Sequence, residues 1–466
     1  MFETIKNCFK VKEIRKKIFI TLLLLLLFRL GCYIPVPGIK VSEFSKVINN
    51  PDNAFLGVLS SITGGSLANA TLFALGISPY INASIIIQLL TVGIPALERL
   101  SKEGEDGRKK IAQITRYVTI ALAVAQAIGI IVNFGANSGA LNLNFFGYFA
   151  ANPEQSVVSE TAATVMAGIF LTVVYTAGAM LVMWLGERIT DYGVSNGISL
   201  IIFVGIISTA GLTIVERFTE AFGWGEYVGK ANPAVLWEVL GFVLLTVVEF
   251  AAIVTVDLSE RKIPVQYAKQ VKGRKMYGGQ SSVIPMKISG SGVMPLIFAF
   301  ALISFPQLLI SLFWPGTPAA SGINEWFSGS SPKWYGQLIY MVVLCVLIFA
   351  FSFFYQSMQF NPEDVSKTIQ QNGGFIQGIR PGKPTADHLK KISNRITLFG
   401  ASYLSLVAFI PSILSIILTA GLQTNNLSLL SVFSTTGILI VVSVALELDK
   451  QLESQLMMKT YKGFLK

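Results

Sequence analysis

The chain has 466 residues, of which 52% are hydrophobic and only 13% are charged, and it carries a formal net charge of +10. Since soluble domains usually contain about a quarter charged residues, this composition argues against a soluble protein and for one that spans a membrane. Three widely separated cysteines, Cys8, Cys32 and Cys345, argue against a disulfide framework or a zinc site.

Ten apolar segments are long enough to cross a bilayer, because a hydrocarbon core of about 30 Å needs roughly 20 helical residues. They are continuously apolar and lack the alternation of barrel strands, so they favour helices. We therefore predict an all-α integral membrane protein with ten transmembrane helices. In chain order the segments are 18–34, 71–92, 116–134, 161–184, 197–215, 234–256, 292–313, 335–355, 396–418 and 428–448.

The basic residues predict the orientation of these segments. Thirty of the 36 Lys and Arg residues lie before the first segment, after an even-numbered segment or at the C-terminus, counting Arg116 with the loop it borders. Positively charged loops resist translocation, so both termini are predicted to be cytoplasmic. This topology accounts for most of the net charge, and contact with ribosomal RNA at the membrane stays an open alternative.

The N-terminus resembles a secretory signal, with a basic run from Lys6 to Lys17 before an apolar segment. No small-residue cleavage site follows, so we predict a retained first span that leads to Pro35-Val36-Pro37-Gly38. Arg29 lies inside this span, and an intramembrane charge suggests a functional role. The favoured alternative is a structural one, in which the Arg29 side chain snorkels to the outer interface.

Residues 53–70 precede the second span and are mildly apolar but interrupted at Gly64-Gly65. Irregular backbone lies at membrane depth only when it is buried in protein or faces water. A short re-entrant or capping segment fits this stretch, while composition alone slightly favours a plain extracellular loop.

The spans divide into two halves, 1–215 and 216–466, with five spans in each. An odd number per half predicts inverted repeats. Gly76-Ile77-Ser78-Pro79 at the start of the second span is echoed by Gly292-Val293-Met294-Pro295 at the start of the seventh. The echo indicates a helix break or hinge in both halves, with an ordinary proline in the first helical turn as the alternative.

The second half contains two long cytosolic loops, 257–291 and 357–395, and ends in a short C-terminal tail. The first loop is rich in Lys and Arg, and the second contains the turn-forming run 372–382. Topogenesis explains the charge but not the Gly-Gly and Arg-Pro-Gly turns, so we predict a docking surface.

Motifs for catalysis are absent from the sequence. The only histidine is His388 in a cytosolic loop, so no zinc or serine protease site can form at membrane depth. The sequence also lacks a nucleotide-binding P-loop. We predict a protein that is not an enzyme and that needs no cofactor or metal. Glu249, a second intramembrane charge, receives no role.

Two stretches carry a family resemblance. Residues 71–90 resemble the second-span signature of SecY, the central subunit of the bacterial protein-conducting channel, and residues 185–200 resemble the signature that enters its fifth span. The similarity extends through Phe28-Arg29-Leu30-Gly31, residues 35–38, residues 261–269 and Gly378-Ile379-Arg380-Pro381-Gly382, and it covers essentially the whole chain.

The resemblance implies the SecY channel fold, with a pore between two inverted five-helix halves. Unfolded secretory polypeptides would cross the bacterial plasma membrane through it, and membrane-protein segments would leave sideways into the lipid bilayer. The implied residues are Ile77, Ile81, Ile198, Ile202, Ile297 and Ile440 for the pore ring; Ser60, Ser61, Ile62, Thr63, Gly64, Gly65, Ser66 and Leu67 for the plug; Gly76, Pro79, Asn82, Gln88, Gly292, Pro295 and Phe305 for the lateral gate; and Arg261, Lys262, Lys269, Arg274 and Arg380 for motor or ribosome docking.

The resemblance also implies partners, namely the small membrane subunits SecE and SecG, the SecA ATPase, the ribosome and clients that bear signal sequences. Arg380 is the sharpest docking candidate, because its turn fixes the backbone and a guanidinium can bind a carboxylate or phosphate with two parallel hydrogen bonds. The alternative function is an ion-coupled small-solute permease with inverted repeats. Sparse intramembrane charge and large basic loops favour the conduit for polypeptides.

Overall fold

A computed structural model describes residues 2–48, 60, 63–132, 140–148, 158–224, 233–267, 270–272, 275–277, 281–288, 294–313, 317, 322, 326, 334–422 and 435–463. Most of this part is helical. The helices are α1 (Phe2–Lys10), α2 (Lys12–Gly31), α3 (Val41–Ile48), α4 (Ser78–Gly93), α5 (Pro95–Lys102), α6 (Glu105–Ile130), α7 (Glu160–Tyr192), α8 (Gly197–Phe222), α9 (Pro233–Leu258), α10 (Met294–Phe313), α11 (Trp334–Gln359), α12 (Pro362–Gln371), α13 (Lys383–Leu422) and α14 (Thr435–Gly463). The strands are β1 (Glu260–Tyr267), β2 (Gln270–Lys272), β3 (Lys275–Tyr277), β4 (Ser281–Lys287) and β5 (Gly374–Phe375).

Each predicted span overlaps one long helix, in chain order α2, α4, α6, α7, α8, α9, α10, α11, α13 and α14. By length and hydropathy, four helical segments of the described part can cross a membrane: α6, α7, α8 and residues 335–371. A fifth is added when α4 and α5, which meet at an angle of 105°, are taken as one span. The prediction of a mostly helical membrane protein is confirmed, and the count of ten spans stays a prediction.

Two helix boundaries differ from the hydropathy limits for physical reasons. Helix α4 begins at Ser78 rather than near residue 71, because residues 72–77 form turns and Gly76 has a φ of +54°. Helix α13 begins at Lys383, well before the predicted span at 396–418, because its first turns are polar and project beyond the apolar region. Hydropathy detects only the continuously apolar part of a helix, whereas the first turns of α13 bury single apolar residues such as Leu389 between polar ones.

The two halves contact each other along two seams and where α1 and α2 pack against α14. Helix α10 packs against α4 and α6, which we call the first seam, and α8 packs against α9 and α14, which we call the second seam. A main apolar cluster draws buried side chains from both halves, whereas a separate outer cluster belongs to the first half alone. The halves therefore share one core.

The two long loops fold together, which corrects the all-α prediction. Strand β1 pairs antiparallel with β4 on one side and with β5 on the other, placing Ile263 opposite Ile284 and Gln266 opposite Phe375. Ile263 and Val265 of β1 pack with residues of α12 and the start of α13, while the alternate residues of β1 are exposed. We call β1, β4, β5, α12 and residues 383–395 the loop module.

Candidate functional site

The six isoleucines predicted for the pore ring all lie at the main apolar cluster. Four are buried, and Ile198 and Ile297 are partly buried and pack against the others. They come from the turn before α4, from α4 itself and from α8, α10 and α14. The structure brings these residues together from both halves, but the cluster holds many other apolar side chains, so the ring assignment stays a prediction.

Gly186 of α7 lies close to two of these isoleucines. A Cβ built on Gly186 of α7 would lie 3.5 Å from a side-chain carbon of Ile198 and 3.6 Å from one of Ile77. Those distances are ordinary van der Waals contacts, so an alanine would also fit at this position. The signature stretch 185–200 contains the end of α7 and the start of α8, which pack against each other.

The described part of the predicted plug, Ser60 and residues 63–67, forms a compact turn. The Gly65 amide donates to the Ser60 carbonyl at 2.8 Å, and the Thr63 hydroxyl donates to the same oxygen at 3.0 Å. Gly64 has a φ of +71°, and a Cβ built on it would lie 3.2 Å from the Cα atom of Gly205 in α8. All of these residues except Gly65 are buried, so the plain-loop alternative is wrong for this part, while Ser61 and Ile62 lie outside the described residues.

Arg29 forms a hydrogen bond with the plug segment. Its Nη1 donates to the Gly64 carbonyl at 3.0 Å, and its Nη2 donates to the Tyr33 hydroxyl at 2.8 Å. The guanidinium carbon also lies 4.6 Å from the centre of the Tyr33 ring, within the range of a cation–π interaction. The Arg29 side chain thus joins α2 to the plug segment, and the snorkelling interpretation stays a prediction.

The predicted gate residues lie along the first seam. Pro79 and Asn82 of α4 and Pro295 of α10 are buried, Phe305 of α10 is partly buried, and Gly292 lies outside the described residues. Gly76 is tightly enclosed, because a Cβ there would lie 2.7 Å from Thr63 Cγ2 of the plug segment. The start of α4 thus contacts both the plug segment and the seam.

A hydrogen bond joins the two halves beside this seam. The hydroxyl of Tyr355 in α11 donates to the side-chain carbonyl of Gln88 in α4, whose amide nitrogen donates to the Ser84 hydroxyl at 3.1 Å. The Tyr355 ring stacks on Phe298 of α10, with 5.2 Å between the ring centres. Sequence reasoning placed Gln88 at the gate but missed Tyr355, which nothing in the sequence distinguishes from other tyrosines.

The predicted docking residues fall into two groups. Arg261 and Lys262 are exposed on β1, and Arg380 is exposed in the turn before α13, whereas Lys269 and Arg274 lie outside the described residues. The Arg380 carbonyl accepts from the Thr385 hydroxyl at 2.8 Å, and the Gly382 carbonyl accepts from the Ser366 hydroxyl at 2.7 Å. The turn is therefore held by side chains of α12 and α13, and the Arg380 side chain is exposed.

These features define a multi-pass helical membrane protein whose two halves close on a shared apolar core. The sequence model of the SecY family matches residues 71–448, and the chain belongs to that family. The protein translocase subunit SecY of Streptomyces griseus is 41% identical over 473 residues, and that of Halalkalibacterium halodurans is 40% identical over 471 residues. Both alignments cover 100% of this chain and 100% of the relative.

Solved structures share the fold. A protein conducting channel superposes with a TM-score of 0.66 at 19% identity, and Sec61 in the canine ribosome–channel complex superposes with a TM-score of 0.62 at 18% identity. Each comparison covers 94% of this chain and 92% of the other. The chain is thus a subunit of a protein translocation channel and not an enzyme, and the permease alternative is set aside.

Proposed function

We propose that unfolded polypeptides cross between the two halves through the ring of Ile77, Ile81, Ile198, Ile202, Ile297 and Ile440. The observation that carries this proposal is the convergence of these side chains, from both halves, on one apolar cluster. Aliphatic side chains exclude water from a narrow constriction and bind a passing chain only weakly. The same residues can therefore seal the channel and yield to a client.

A photoreactive amino acid at Ile202 tests this path. In membranes that hold a client arrested during translocation, we expect it to cross-link to the client. The matched control is Leu171 of α7, which is equally buried but belongs to the outer cluster. Cross-linking from Leu171 alone, or equally from both positions, would place the path elsewhere.

Clients with an apolar segment are proposed to leave sideways through the first seam. Helices α4 and α10 would separate there, with Gly76-Pro79 and Gly292-Pro295 as hinges, so that the segment could partition into lipid. A cysteine pair replacing Asn82 and Phe305 should link across the closed seam, and the linked channel should neither translocate secretory clients nor insert membrane proteins. A readily linked pair with undiminished transport contradicts this gate.

The bacterial plasma membrane and cytoplasmic termini are proposed from the distribution of Lys and Arg residues. Because the sequence contains no P-loop, the work of translocation must come from a cytosolic machine, for which we propose the SecA ATPase and the ribosome. The exposed Arg261, Lys262 and Arg380 of the loop module support docking there. SecE and SecG are the proposed small membrane subunits, in keeping with relatives that are named translocase subunits.

A further inference from the structure

The plug segment lies against two of the elements that contribute to the predicted ring. A Cβ built on Gly76, the residue before Ile77, would lie 2.7 Å from a methyl carbon of the segment. A Cβ built on Gly64 within the segment would lie 3.2 Å from the Cα atom of Gly205. Gly205 follows Ile202 within one turn of α8. The segment is therefore packed against the ring at the end where α4 begins.

The end of the plug segment and its middle are held in different ways. Just after the segment, residues 70–72 pair with residues 34–36 through backbone hydrogen bonds of 3.0 and 2.9 Å. The middle of the segment is instead held by a side chain, because Nη1 of Arg29 in α2 donates to the Gly64 carbonyl at 3.0 Å. The middle can therefore move away from α2 while the backbone pairing at its end stays intact.

The contacts of Arg29 favour the position that the plug segment occupies. Within the described residues the guanidinium forms no ion pair. Its polar contacts are the Gly64 carbonyl and, four residues along its own segment, the hydroxyl and ring of Tyr33. A cation within a membrane span needs such acceptors. If the plug segment left, Arg29 would lose one of its two hydrogen-bond acceptors and keep Tyr33.

The residues on either side of the contact fit it closely. Gly64 has a φ of +71°, and a Cβ built there would lie 2.9 Å from Nη1 of Arg29, so a side chain would displace the guanidinium. Ser66 is fully buried and lies next to the thiol of Cys32, which follows α2 and is itself buried. The end of α2 thus meets the plug segment at two neighbouring points.

We propose that Arg29 is a positioning residue for the closed channel: its hydrogen bond to Gly64 holds the plug segment against the ring and must break before a client passes. Hydrogen bonds that involve a charged group are stronger than neutral ones, so this contact opposes opening. Tyr33 retains the guanidinium after release, so the same bond can form again when the client has left. The proposal rests on the proposed path through the ring.

The position of the segment is measured by maleimide labelling of Ser66→Cys in the full chain in nanodiscs, with the three native cysteines replaced by serine. Because Ser66 is fully buried, labelling requires the segment to move. Arg29→Gln should raise the labelling rate about tenfold or more, as expected for a lost hydrogen bond to a charged group. Arg29→Lys keeps the charge but lacks the planar fork, so it should give a smaller increase. Lys40→Gln, which removes an exposed charge from the stretch after α2, should change nothing.

A disulfide can replace the proposed contact. In a chain that keeps Cys32 as its single native cysteine, Ser66→Cys places a second thiol beside it, and oxidation should link the segment to α2. Arg29→Gln in this chain should raise the resting conductance in planar bilayers. Oxidation should return the conductance to the unmodified level, and reduction should raise it again. The matched chain with Cys32→Ser cannot form the link and should conduct under both conditions.

An unchanged labelling rate in Arg29→Gln, or an equal increase in Lys40→Gln, would overturn the proposal. A conductance that the disulfide fails to lower would also overturn it, because the leak would then arise from a general disturbance of the fold. Faster labelling without a change in conductance would support the Arg29 contact and contradict the proposed path through the ring.

Discussion

Replacing Tyr355 with phenylalanine tests the contribution of one hydrogen bond between the two halves. The substitution removes the hydroxyl that donates to Gln88 and keeps the ring that stacks on Phe298. Tyr355 lies in the second half and Gln88 in the first, so the bond is made only while these helices stay together. The substitution should therefore destabilise the closed arrangement with little loss of packing.

The size of the effect follows from the burial of this pair. A protein hydrogen bond contributes about 0.5–1.5 kcal/mol net, and Tyr355 is 8% exposed, so its loss should fall within this range. Since RT is about 0.6 kcal/mol, the population of separated halves should rise roughly two- to tenfold. A bond between exposed groups would give a smaller shift, because water would replace the partner.

Translocation of a secretory client with a weakened signal sequence measures this shift, because such clients depend on rare opening. Tyr355→Phe should raise their transport by the same two- to tenfold, while transport of a normal client changes little. Tyr340→Phe is the matched control, since its hydroxyl on the same helix makes no hydrogen bond within the described residues. An unchanged rate for the weak client, or an equal rise in both variants, would refute the reasoning.

Three further predictions concern the plug segment, the ring and the docking turn. Gly64→Ala should raise ion leak in planar bilayers more than Gly65→Ala, because both have positive φ but only a Cβ at Gly64 would meet Gly205, at 3.2 Å. The double variant Ile81→Ser/Ile202→Ser should raise the resting conductance, whereas Ile130→Ser in the outer cluster should not. Equal conductance in the unmodified channel and in both variants would contradict the ring assignment. Arg380→Glu should reduce motor-driven translocation by about tenfold or more at equal abundance, as expected for a lost charged contact, while Lys391→Glu should leave it near normal.

The sequence predicted the helices well because membrane spans are long and continuously apolar, and such a run is recognisable without knowing which segment packs against it. The strand β1 was missed even though Ile263 and Val265 alternate with polar or exposed neighbours, because the prediction treated the region as a basic loop. Its pairing with β5 could not be predicted from local pattern, since more than a hundred residues separate the two strands. The positive-inside rule assigns charged loops to one side of the membrane, but it does not predict whether such a loop folds into strands and helices.

In the candidate site, too, the sequence identified individual residues but not the contacts between distant segments. Gly64 was identifiable as a break in the plug segment, whereas its bond to Arg29 depends on the turn that brings residue 64 back to α2. Gln88 could be assigned to the gate by family resemblance, but its pairing with Tyr355 depends on α10, which packs against both α4 and α11. Contacts between distant segments depend on the whole fold, so the sequence alone does not predict these pairs.

The sheet of the loop module links the docking turn mechanically to the first seam. Strand β5 precedes the Arg380 turn and pairs with β1, which in turn pairs along its length with β4. Strand β4 ends at Lys287, and α10 begins at Met294, so few residues separate the sheet from the helix that packs on α4. When antiparallel strands are pulled along their axes, many hydrogen bonds must break at the same time, so the strands resist separation. If a motor docks at Arg380 as proposed, a force applied there would be transmitted through the paired strands toward the start of α10.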